Sequence, residues 1–248
     1  MKKLMGVIFL IFAVKTAALG ADFPLSAGVG AGLGGVFTRY TLTADGKVDG
    51  ARIKIDAIQE MDQFNYGFFA FFDATYGVLS VFYQNGVNNY TETADISVLT
   101  NTKQSGKGWE SVFGFSLWGK YPFTLHKRLT VFPLLGMEYQ ISLMQKRTQD
   151  DGWVYERDDG LRERDKNGNA YNLIDWNSWW VNVGGGVDYL FTDNLFARCE
   201  LLYNFRLMTV YEQKNLDMMK SLGGDPNPEL GGLSSGPALK IAAGWRFR

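Results

Sequence analysis

Residues 197–207 read ARCELLYNFRL, a stretch in which apolar and polar side chains alternate. The apolar set is Cys199, Leu201, Tyr203, Phe205 and Leu207, and the polar set is Arg198, Glu200, Asn204 and Arg206. Successive side chains of a β-strand point to opposite faces, so this period of two predicts a strand with one apolar face and one polar face.

The same alternation recurs along the chain. The clearest segments are 113–121, 129–143, 179–189, 197–207 and 239–247, and none of their 30 odd-numbered residues is charged. The facing even-numbered residues lie in 110–120, 130–142, 180–188, 198–206 and 240–246 and number 27. Nine of them are charged: Glu110, Lys120, Glu138, Asp188, Arg198, Glu200, Arg206, Lys240 and Arg246. The pattern therefore predicts a sheet that is apolar over one whole face.

The connections between these segments alternate in length, which indicates the topology. Short turns are expected at 73–75, 122–128 and 192–194, where turn-forming residues join two apolar runs. Long polar stretches, expected to be loops, cover about 38–62, 91–108, 144–178 and 208–236. Eight antiparallel strands result, with both termini on the short-turn side. The register within 64–90 stays open, because Phe68, Phe69, Phe71 and Phe72 cannot all face one side.

Two architectures place eight antiparallel strands in a closed sheet. A soluble lipocalin-like barrel fills its interior with apolar side chains, whereas a membrane barrel turns its apolar face to lipid and keeps a polar interior. Here the polar face carries Gly, Ser and charges of both signs, which suits a narrow interior, and the other face is large and aromatic. We therefore predict an all-β protein, an eight-stranded antiparallel transmembrane up-and-down β-barrel.

The N-terminus has the pattern of a secretory signal. Lys2 and Lys3 precede an apolar run from Leu4 to Val14, and small residues follow it, which predicts cleavage after Gly20 or Ala21. The expected division is a signal peptide at 1–21 and a barrel domain at 22–248. With 25 basic and 26 acidic residues, the chain lacks the basic excess of a nucleic-acid-binding protein. Its single cysteine, Cys199, excludes an intrachain disulfide.

The last strand carries the most specific resemblance. Its pattern Leu239-x-Ile241-x-Ala243-x-Trp245-x-Phe247, with the signal segment and eight amphipathic strands, resembles small bacterial outer-membrane barrels of the OmpA, OmpX and OmpW kind. Phe37-Thr38-Arg39-Tyr40 and the run from Phe71 to Tyr76 resemble spirochaete (Treponema-type) members more weakly. The resemblance implies outer-membrane residence, periplasmic termini and extracellular loops. It also implies that Leu239, Ile241, Trp245 and Phe247 form the signal read by the barrel-assembly machinery, although Arg248 follows the usual terminal aromatic residue.

The predicted lumen contains four acids and five bases, and this near-balance favours mutual pairing over an open pore. We therefore expect a salt-bridged, largely plugged lumen and a structural or surface-interaction (adhesin-like) role. The alternative is an OmpW-type narrow channel for small or hydrophobic solutes, in which the same charges line an ion path. No enzyme activity, metal or cofactor is expected, because the only histidine, His126, lies in a predicted turn beside Lys127 and Arg128.

The glycine clusters Gly184-Gly185-Gly186 and Gly28-x-Gly30-x-Gly32 do not open a helix, so they predict strand positions beside bulky lumen groups rather than nucleotide loops. Residues 38–58 alternate around Asp45-Gly46, which predicts a β-ribbon protruding above the membrane. Outer-membrane lipid and the assembly machinery are the expected partners of a monomer. A host or surface ligand would bind through the loops, of which 144–178 is the most charged.

Overall fold

A computed structural model describes residues 25–48, 51–96, 102–149, 154–156, 162–164, 170–172, 177–207 and 229–247. Its strands are β1 (Ser26–Val48), β2 (Ala51–Asp73), β3 (Gly77–Ile96), β4 (Thr102–Lys120), β5 (Phe123–His126), β6 (Leu129–Gln149), β7 (Val154–Glu156), β8 (Arg162–Arg164), β9 (Ala170–Asn172), β10 (Ser178–Leu190), β11 (Leu195–Arg206) and β12 (Glu229–Arg246). The predicted signal segment and most of the predicted loops 144–178 and 208–236 lie outside the described residues.

Eight of these strands close into a ring. Each of β1, β2, β3, β4, β6, β10, β11 and β12 pairs antiparallel with the next, and β12 pairs with β1. Following the partners once around from Ala27 leads to Phe37, ten residues further along β1. With a rise of ~3.3 Å per residue and a strand spacing of ~4.8 Å, this stagger tilts the strands by about 40° from the barrel axis. The predicted eight-stranded up-and-down barrel is confirmed.

The short connections lie together at one end of the ring, as the sequence predicts. Asp73 accepts a hydrogen bond from the backbone N–H of Thr75 at 2.9 Å, and Thr75 has a φ of 66°. The expected turn at 122–128 contains the short strand β5, which folds back on the start of β6, so the chain reverses at Lys127 and Arg128.

Two of the expected long loops are mostly strand. Residues 38–48 and 51–62 continue the β1–β2 hairpin, which includes the predicted ribbon, and 91–96 and 102–108 continue β3 and β4. The polar composition that suggests loops belongs instead to strands. These strands extend beyond the apolar belt, the band of exposed apolar side chains on the outer face, so both of their faces meet water. On the opposite wall, β10 and β11 have only 13 and 12 residues. One side of the barrel therefore extends well above the other.

The two faces of the barrel have opposite polarity. Leu135, Val183 and Leu201 point outward and are exposed, whereas Glu138, Asp188 and Arg198 point inward and are buried. The exposure of the side chains also settles the ambiguous register of β2: Phe69 and Phe71 are buried and face the interior, whereas Phe68 and Phe72 are exposed and face outward. Tyr90, in the upper part of β3, also points inward and is buried. Among the described residues, no helix is long and apolar enough to cross a membrane.

Candidate functional site in the barrel lumen

The interior is not purely polar, because a layer of aromatic rings fills its lower half, the half nearer the short turns. Each ring lies directly opposite a glycine on the neighbouring strand, and a Cβ at that glycine would come within 2.1–2.8 Å of a ring carbon. The pairs are Gly28 with Phe71, Gly30 with Phe69, Gly114 with Phe82, Gly136 with Trp118, Gly186 with Phe132, and Gly244 with Phe196. The expectation that strand glycines make room for bulky lumen groups is confirmed for Gly28, Gly30 and Gly186.

Arg198 of β11 is the centre of this layer and has 1% of its surface exposed. Its Nε and Nη2 donate to the two carboxylate oxygens of Asp188 at 2.7 and 2.8 Å, a bidentate pair. The guanidinium also lies 4.7, 5.1 and 5.4 Å from the ring centroids of Phe71, Phe132 and Phe196. Cation–π contacts of this kind stabilise a cation held away from water. A planar charge thus fills the middle of the lumen, with carboxylates at its edge and rings around it.

Asp73 joins Arg198 to the opposite wall. One of its carboxylate oxygens accepts hydrogen bonds from both Arg198 and Lys120, and the other holds the turn at Thr75. Glu200 lies 3.8 Å from Arg198 Nη1 and completes the cluster. We name Asp73, Lys120, Asp188, Arg198 and Glu200 the ion cluster. The sequence pattern does not identify Asp73 as a lumen residue, because Asp73 falls in a predicted turn; it nevertheless follows Phe71 by two residues and shares its inward face.

The remaining predicted lumen charges are inward but lie outside this cluster. Lys240 stands over Trp118, Phe69 and Phe82, with Nζ 5.0–5.9 Å from the ring centroids. Nearer the extended end, Glu110 accepts a hydrogen bond from Gln63, and Arg206 donates to the hydroxyl of Tyr40.

Glu138 has amide partners. Gln140 Nε2 donates to one of its oxygens at 2.7 Å, and Asn182 Nδ2 lies 3.4 Å from the other. A cavity of about 50 Å³ lies on the extended side of the ion cluster, next to Glu138. Its polar lining consists of Asn65, Gln84, Glu138, Gln140, Asn204 and Lys240.

Other residues singled out in the sequence lie at the ends and on the outside. Arg246 is half-buried, and its backbone exchanges hydrogen bonds with Asn194 of the last short turn. Leu239, Ile241, Trp245 and Phe247, the predicted assembly signal, all point outward and are exposed. Cys199 is also exposed on the outer face, and His126 is exposed in β5 at the short-turn end. Within the described residues, no group of three or more His, Cys, Asp or Glu could hold a metal ion.

No protein-family model and no curated protein matches the chain. Its fold is a closed, eight-stranded antiparallel β-barrel with an apolar outer face. Solved structures match it at low identity. The outer membrane protein OprG from Pseudomonas aeruginosa is 12% identical, with a TM-score of 0.36, over 90% of this chain and 96% of that chain. Neisserial surface protein A is 14% identical, with a TM-score of 0.32, over 86% of this chain and 95% of that chain. Ail, the attachment invasion locus protein of Yersinia pestis, was solved in complex with the heparin analogue sucrose octasulfate. It is 12% identical, with a TM-score of 0.26, over 88% of this chain and 99% of that chain.

Proposed function

We propose that the chain is an integral protein of a bacterial outer membrane, with a closed lumen and a structural or surface-interaction (adhesin-like) role. The observation that carries this proposal is the inverted polarity of the barrel: the interior holds the buried charges together with polar side chains and a layer of aromatic rings, whereas large apolar side chains cover the outside. In water such an exterior would be an aggregation hazard. In lipid it is the stable arrangement, because a closed barrel also pairs its backbone groups between strands.

The height of the apolar belt supports residence in a bilayer. Ten residues of β10 separate the exposed Tyr189 from the exposed Trp179, and at the tilt given above they span about 25 Å, the usual height of such a belt. Three outward tyrosines mark the upper boundary, since their hydroxyls contact polar groups on the extended side. These contacts are Tyr83 with Ser111 at 3.0 Å, Tyr139 with Asn177 at 3.0 Å and Tyr203 with Ser235 at 3.2 Å.

The ion cluster supports a closed lumen. Arg198 occupies the middle of the barrel, and three aromatic rings and two aspartates surround it, so little space is left for a hydrated ion. We expect the folded protein to produce no large, stable openings in a planar lipid bilayer. Openings of that kind would support the alternative, a narrow channel for small solutes, and would overturn the closed lumen.

The extended wall supports a surface role. β1 and β2 have 23 residues each, about ten more than β10 and β11, so the first hairpin rises far beyond the belt. It carries exposed charged pairs, for example Arg39 with Glu60 at 3.5 Å and Lys54 with Asp56 at 2.7 Å. A rigid, hydrogen-bonded polar sheet in this position suits contact with a host or surface ligand. The termini would then be periplasmic, with lipid and the assembly machinery as further partners.

The surface role has a direct test. Residues 45–54 can be replaced by a two-residue turn between the paired residues Ala44 and Ile55, which shortens the hairpin without touching the closed part of the ring. We expect the variant to fold, as shown by heat-modifiable mobility on a gel, and expressing cells to attach less to a host-cell layer. Attachment that is unchanged relative to wild type, at equal surface amounts, would argue against a contact through this hairpin.

A further inference from the structure

The turn between β5 and β6 is basic. His126, Lys127 and Arg128 follow one another there, and all three are exposed. Among the described residues, no carboxylate oxygen lies within 4 Å of their side-chain nitrogens. We name these three residues the basic turn. The positive charges of Lys127 and Arg128 are thus not paired within the described part of the barrel.

The acids at the same end of the barrel do not compensate this charge. In the part of the chain that the structure describes, they are Asp73, Asp188 and Asp193. Asp73 and Asp188 are buried in the ion cluster. Asp193 is exposed, but it belongs to the neighbouring short turn between β10 and β11. The charges of Lys127 and Arg128 are therefore available to an anion outside the protein.

The strand register places the basic turn at the lower edge of the apolar belt. Tyr189 marks this edge on β10 and pairs with Leu129 of β6, and Leu129 pairs with His126 of β5. Lys127 and Arg128 connect β5 with β6, so they lie directly beyond the edge. In a bilayer, the polar headgroups occupy this level, just outside the hydrocarbon core.

The short strand β5 adds apolar surface next to these charges. Phe123 pairs with Val131 on the outer face of β6, and directly paired residues share a face, so Phe123 points outward. Phe123 and Leu125 are both exposed. Apolar side chains followed at once by Lys127 and Arg128 are typical of a segment that lies at the boundary between hydrocarbon and headgroups.

We propose that the basic turn binds the phosphate group of an anionic phospholipid in the leaflet on the short-turn side. Arginine and lysine both bind phosphate, and arginine does so through two parallel N–H groups. The exposed Phe123 and Leu125 favour a lipid over a soluble phosphate compound, because only a lipid would cover them. The backbone N–H of Leu190 donates to the carbonyl oxygen of Arg128 at 2.8 Å, which holds the turn against β10. This site rests on the residence in a bilayer proposed above.

The test uses isotope-labelled full-length protein folded in phosphatidylcholine bicelles. The backbone amide resonances of residues 125–128 are followed by NMR while phosphatidylglycerol replaces phosphatidylcholine at constant total lipid. We expect these resonances to shift and to saturate, and to stay unchanged when inorganic phosphate is added to bicelles of phosphatidylcholine alone. Equal shifts with inorganic phosphate would show a site for free anions and overturn the lipid site, and so would the absence of a saturating shift with phosphatidylglycerol.

The double variant K127Q/R128Q removes both charges from the exposed turn. Each basic residue near an anionic surface strengthens binding by roughly fivefold, so this variant should lose the saturating response. The matched control K107Q removes an exposed charge from β4 on the extended wall and should respond as wild type does. A wild-type response in K127Q/R128Q would contradict the proposal.

Two other failures remain distinguishable. If K127Q/R128Q does not fold, the comparison of phosphatidylglycerol with inorganic phosphate on the wild-type protein decides the question alone. If the residence in a bilayer is wrong, the wild-type protein will not enter the bicelles at all, whereas a wrong lipid site leaves a barrel that enters them without a preference for phosphatidylglycerol.

Discussion

Asp73 and Arg198 lie 125 positions apart in the sequence, and their side chains meet in the centre of the barrel. Asp73 ends β2 beside a short turn, while Arg198 lies in β11 on the opposite wall. Their contact, together with the bidentate pair of Arg198 and Asp188, ties three strands across the interior. The lower lumen is thus held by a buried charge network in addition to the backbone ladder.

Replacing Arg198 by methionine should destabilise the barrel by about 3–5 kcal/mol, because it leaves the carboxylates of Asp73 and Asp188 buried without their main cation. The measurement is the free energy of unfolding in urea, with the protein reconstituted in lipid vesicles.

The matched control is Arg39→Met, which breaks an exposed ion pair with Glu60 on the extended wall. Exposed pairs of this kind contribute less than ~1 kcal/mol, so this variant should stay close to wild type. Equal losses for the two arginines would mean that the ion cluster does not stabilise the fold.

Gly114→Ala should destabilise the barrel by about 1–3 kcal/mol, since its Cβ would lie 2.1 Å from the ring of Phe82. Phe82 is buried within the aromatic layer, so the ring has little room to move. Gly119→Ala in the same strand is the control, because the nearest atom to its Cβ would be 3.7 Å away. The midpoints of urea unfolding compare the two, and a control at least as unstable as Gly114→Ala contradicts the glycine–ring fit.

Val183→Arg should reduce folding into lipid vesicles by about 2–4 kcal/mol, as expected for a charge placed near the middle of the bilayer. Val183 points outward within the apolar belt. Ile58→Arg places the same charge on the outward face of the extended wall and should cost about 0–1 kcal/mol. If Val183→Arg folds as well as Ile58→Arg and remains monomeric in water, the outer face does not contact lipid.

Cysteine labelling tests the orientation in intact cells. In a Cys199→Ala background, a cysteine replacing Thr43 should react with a membrane-impermeant maleimide, whereas one replacing Asp193 should react only after lysis. Both positions are exposed, and they lie at opposite ends of the barrel. The reverse result would place the extended wall in the periplasm.

Much of the architecture was predictable from the sequence. The period-two pattern of segments such as 197–207 identified strands and their apolar face, because alternation is a property of local backbone geometry. The same parity placed Glu138, Asp188 and Arg198 on one face, and the Gly, Ser and mixed charges of that face predicted that it turns inward. The limits of the strands were less certain, since polar strands that rise into water resemble loops in composition, as 91–96 and 102–108 do.

By itself, then, the sequence determined the alternation, the number of strands and the inward phase of the charged residues. Only the tertiary structure decided which charges meet, because the ten-residue stagger of the closed ring sets which side chains share a level. Asp73 thereby reaches Arg198, the aromatic rings cover the glycines opposite them, and Glu138 is left with amides beside a cavity. These contacts join strands distant in sequence, and local periodicity carries no information about them.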